Sequence, residues 1–192
     1  LTARPAWQEA TADGLSEFTR MAAAAVPDEN GEPDADLIAA SRLLKGIPGE
    51  DMRPRMTAAA EALNRFDSRA SRGLVQVADR RVLAADEARM FAGWAEADQD
   101  DLSTQIYQES TGWPASKQDI RVFYAAKARA HIALQMLKAA RLADRESLAD
   151  ADTMAAYDKA EAAWTRAARI RPLVVSNQKG DGAIMANHLA SL

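Results

Sequence analysis

The sequence predicts an all-α fold: an elongated antiparallel bundle of about six or seven helices, forming a single domain over residues 1–192. Three observations carry this expectation. The run from Ser116 to about Arg145 contains neither Gly nor Pro and keeps one apolar stripe along its length. Apolar residues recur at helical spacing in segment after segment, with no credible pair of strands between them. Antiparallel packing of such helices is the consistent way to bury their apolar faces.

Ala6 to Val26 reads as a first helix, weakened near Gly14, with Leu15, Phe18 and Ala22 as its buried face. The stretch PDENGEP, residues 27–33, combines turn formers with charge and reads as a surface loop. Asp34 or Asp36 can cap a short helix through about Lys45, anchored by Leu37, Ile38 and Leu44 and ended by Gly46, Pro48 and Gly49. Glu50 and Asp51 then place acid beside the free amides of the next helix, and Pro54 is tolerated in its first turn. Met56, Ala59, Leu63, Phe66 and Ala70 form its stripe, and Gly73 is a candidate break. Leu74 to Val82 is ambiguous, and we favour helix continuing or restarting there over a strand.

A further helix runs from Ala84 to about Gln108, carrying Phe91, Trp94, Leu102 and Ile106, and stops at Gly112-Trp113-Pro114. The long helix opens at Ser116, with Asp119 placed to complete a capping box. Ile120, Phe123, Ala130, Leu134 and Leu137 line one side, over roughly 45 Å. Asp150 or Asp152 starts the next helix, with Met154, Tyr157, Ala160, Trp164 and Ala167 facing inward until Pro172. An extended connection through Leu173–Val175 and a loop, NQKGDG, precede a last helical start at Ile184–Leu192.

Composition bounds the function. The chain has 192 residues, no cysteine and a formal net charge of −4. Disulfides and thiolate zinc sites are excluded, and the acidic balance argues against a nucleic-acid binder that works by phosphate neutralisation. The longest unbroken apolar run, Met21–Val26, is far short of the roughly 18 residues that span a bilayer. The chain begins at Leu1 and ends at Leu192 within a helical start, so we expect a fragment of a longer protein.

No catalytic or metal constellation is readable, and no cofactor is expected. His131, between Lys127 and Gln135, has no acid or second His four residues away, and His188 lies near the end. Asp98, Asp100 and Glu109 occupy three positions of a calcium loop, but Leu102 and Ser103 stand where a ligand and the turn glycine belong, so a solvated acidic helix face is expected. The loop Asp28–Glu32 fails the same test. NQKGDG lacks the phosphate-loop spacing and the hydroxyl after Lys179. No carboxylate pair stands isolated in an apolar setting. Ala160, Trp164, Ala167 and Pro172 have the spacing of a helical-repeat second helix, but no copy recurs about 34 residues away.

Arg53, Arg55, Arg65, Arg69, Arg72, Arg80 and Arg81 stand against Glu61, Asp67 and Asp79 in residues 53–81, a local +4 on an acidic chain. A solvated helix face is the plain reading. The sharper one is a docking patch for an acidic partner or anionic headgroups, with Arg69, Arg72, Arg80 and Arg81 as candidates.

QDIRVFYAAKARAHIAL (118–134), RPLVVSN (171–177) and DGAIMANHL (181–189), with FDSRAS (66–71) as an earlier echo, resemble an uncharacterised bacterial family of membrane-anchored helical envelope proteins. The resemblance implies an N-terminal anchor removed from this fragment and a helical domain on the periplasmic face of the inner membrane. It supplies no catalytic residues. The expected function is contact with a protein partner. The alternative is a small-molecule sensor or enzyme with an inter-helix pocket lined by Trp94, Trp113, Tyr124 and Trp164.

Overall fold

The computed structural model describes residues 3–47, 50–77, 80–107, 117–143 and 151–170. They form six helices: α1 (Ala3–Ala25), α2 (Ala35–Leu44), α3 (Met52–Ala70), α4 (Arg80–Tyr107), α5 (Lys117–Ala143) and α6 (Ala151–Arg169). Among the described residues there is no strand; a lone antiparallel bridge joins Pro27 and Pro33 across the first loop. The all-α bundle is therefore the observed class. The chain divides into two compact units, one made of residues 12–92 and the other of residues 1–11 with 93–192, so α1 and α4 contribute to both.

In the unit of residues 12–92, α2 is defined at both ends by its neighbours. Asp34 caps it, its Oδ1 accepting from the amides of Asp36 at 3.0 Å and Leu37 at 3.1 Å. The Asp34 amide in turn donates to the carbonyl of Ala23 at 3.1 Å, tying the cap to the end of α1. The buried face of α1 in this unit is not the expected Leu15, Phe18 and Ala22, which are half-buried. It is Ala12, Ser16, Thr19, Ala23 and the following Val26. Small side chains let α2 approach closely, and Ser16 and Ser41 exploit it. Ser16 Oγ donates to the Ser41 carbonyl at 2.7 Å, and Ser41 Oγ donates to the Ser16 carbonyl at 2.9 Å. Burying two hydroxyls is affordable here because each is satisfied.

On α3, Ala59 and Ala62 are buried, Leu63 and Phe66 half-buried, and Met56 exposed. The helix then stops instead of continuing through the ambiguous stretch. The amide of Leu74 donates to the carbonyl of Arg69 at 3.0 Å and that of Gly73 to Ala70 at 2.9 Å, the paired bonds of a Schellman cap. Gly73 sits at φ +71°, which is why glycine ends the helix. Leu74–Val77 are not helical, correcting the expectation of continued helix, and the chain re-enters helix at Arg80.

In the other unit α5 is central. Buried positions go round most of its surface: Val122, Phe123, Ala126, Ala128, Ala130, Ile132, Ala133, Leu134 and Leu137. The expected single stripe was too narrow, and Ile120 within it is half-buried. Phe123, Val122 and Ala126 cluster with Leu102 of α4, and Tyr124 and Ile170 pack against them. α6 runs antiparallel to α5. Tyr157 donates its hydroxyl to the Leu137 carbonyl at 2.6 Å, Arg141 meets Asp158 and Glu161 at 3.0 Å each, and Lys127 reaches the Ile170 carbonyl past the end of α6.

The Ser116 cap, the Gly112–Pro114 stop, Trp113, the loop NQKGDG, His188 and the final helical start lie outside the described residues. No helix among the described residues is long and apolar enough to cross a membrane.

Candidate functional site

The arginine row of residues 53–81 is the strongest sequence candidate, and its members have different fates. Arg69 Nη2 lies 3.0 and 2.7 Å from the two carboxylate oxygens of Asp34 and 2.9 Å from Asp36 Oδ2. Asp34 is buried, and the guanidinium lies 5.8 Å from the Phe66 ring centroid. Hydrogen bonding to Asp34 holds the Arg69 pKa above its usual value. Arg65 Nε adds a bond to Asp36 Oδ1 at 2.9 Å. At the opposite end of α2, Arg55 donates to the carbonyls of Arg42 at 2.8 Å, Leu43 at 3.2 Å and Lys45 at 3.1 Å.

Arg55 and Arg69 are 14 residues apart, roughly 21 Å of helix, enough to bracket the roughly 15 Å of α2. Acid and its arginine sit at the amino end of α2, and a cation sits on the carbonyls at its carboxyl end. Both placements suit the helix dipole. Arg53 pairs with its own N-cap, Asp51, at 3.0 Å. Four of the seven arginines thus fasten α3 to α2 or cap α3 itself. Arg69, a docking candidate by sequence, is committed inside the unit.

Arg72 is exposed. Its Nε donates to the Ser68 carbonyl at 2.8 Å, and no carboxylate pairs with it among the described residues. Arg80 and Arg81 open α4, and their side chains lie outside the described residues. Between Arg72 and Arg81 the chain exposes aliphatic surface: Leu74 is 66% and Val77 39% exposed, and Val82 just beyond is 54% exposed. Sequence reasoning treated Leu74–Val82 only as a question of secondary structure. The signal it carried was aliphatic residues between arginines, straight after a helix-ending glycine.

A second site lies in the unit built on α5. Asp98, assigned by sequence to a solvated acidic face, is instead buried, and Arg129 of α5 pairs with its carboxylate. Burial pushes the Asp98 carboxyl up to about 6, with Arg129 opposing and the nearby Asp101 assisting. The sequence did not betray this buried carboxylate with its raised pKa. Trp94, one turn earlier on α4, is buried as well. Asp100 and Asp101 are exposed, so the acidic-face reading holds for them.

Of the aromatic set, Trp94 is buried, Tyr124 and Trp164 are half-buried, and Trp113 lies outside the described residues. His131 is exposed, its ring centroid 5.9 Å from that of Trp7 at a 59° tilt. Among the described residues no three His, Asp or Glu side chains converge as a metal site requires. No protein-family model matches the chain, and comparison with curated proteins and with solved structures gives no significant match to either.

Proposed function

We propose that this chain is the helical contact domain of a bacterial envelope protein. In this reading it is tethered on the periplasmic face of the inner membrane by an N-terminal anchor and works by binding another protein. The observation that carries the contact role is the exposure of Leu74, Val77 and Val82 in one stretch of nine residues. Scattered single aliphatics on a surface are ordinary, whereas a local concentration of them is the usual mark of an interaction site. The tether rests on the sequence resemblance alone. A full-length reading frame without an apolar segment of about 20 residues upstream removes it.

The second reading, an inter-helix ligand site, is favoured by one observation. Asp98 is a buried carboxylate whose pKa is raised to about 6, one turn from buried Trp94, and such groups concentrate at functional sites. An ion pair between packed helices accounts for the same geometry. Thermal-shift screening against metabolites and metal ions separates the readings. The contact domain gives a flat response, whereas a reproducible shift of several degrees that Asp98→Asn abolishes makes the ligand site the function.

A further inference from the structure

We draw no further inference here: the strongest candidate, the exposed aliphatic patch of Leu74 and Val77 just past the end of α3, belongs to the contact surface already described, and nothing in the structure shows what covers it.

Discussion

Asp34 serves two helices with one carboxylate. It caps α2 through two backbone amides and receives Arg69 from α3, while itself almost fully buried. Asp34→Ala should therefore cost more than an ordinary cap, about 2–3 kcal/mol by chemical denaturation, because Arg69 also loses its main partner. Asp36→Ala, which leaves the cap and the Asp34 pair in place, should cost under half as much. Gly73 is constrained differently. A side chain there meets nothing within 4 Å, so its φ of +71° alone makes Gly73→Ala unfavourable, by about 1 kcal/mol.

Asp98 couples this scale to pH. Its carboxyl titrates higher folded than unfolded, so the folded protein holds an extra proton between about pH 4 and 6. Its contribution to stability is fully present below that window and declines as pH rises through it, by on the order of 3 kcal/mol. The denaturation midpoint should thus fall from pH 5 to pH 7 in the parent protein, and Asp98→Asn should flatten that slope. Arg129→Met removes the group that favours the ionised carboxylate. It should raise the Asp98 pKa further and destabilise more at pH 7 than at pH 5.

At the scale of elements, the helices were legible because their determinants are local. Proline and glycine positions, cap residues and apolar spacing put every described helix within a few residues of its observed bounds. The largest departure was α4, which begins four residues before the expected Ala84. What the pattern missed was which face is buried. On α1 the large residues Leu15 and Phe18 drew attention, yet the buried positions are the small Ser16, Thr19 and Ala23, and Ser16 bonds Ser41 of α2, an approach that small side chains allow. On α5, alanines at 126, 128, 130 and 133 let neighbours pack on several faces, so hydrophobic size alone was a poor guide. Gly93 within α4 is a useful contrast with Gly73. It is exposed, and an added methyl would meet nothing within 4 Å, so Gly93→Ala should stabilise by about 0.5–1 kcal/mol, read as a higher melting temperature.

For the whole molecule, the sequence determined the class: a chain without cysteine, punctuated by Gly and Pro, whose apolar residues recur at helical spacing can bury them only by stacking helices. These are properties each segment carries with it. The tertiary structure alone decided which charges are paired within the fold. Arg69 and Arg72 are three residues apart and alike in sequence, but Asp34 and Asp36 arrive beside one and not the other. Likewise Asp98 and Asp101 are neighbours three residues apart on α4, yet only the first is buried, where it meets Arg129 of α5. The energy of a charge depends on the neighbours and the dielectric around it, and both are set by residues distant in the chain.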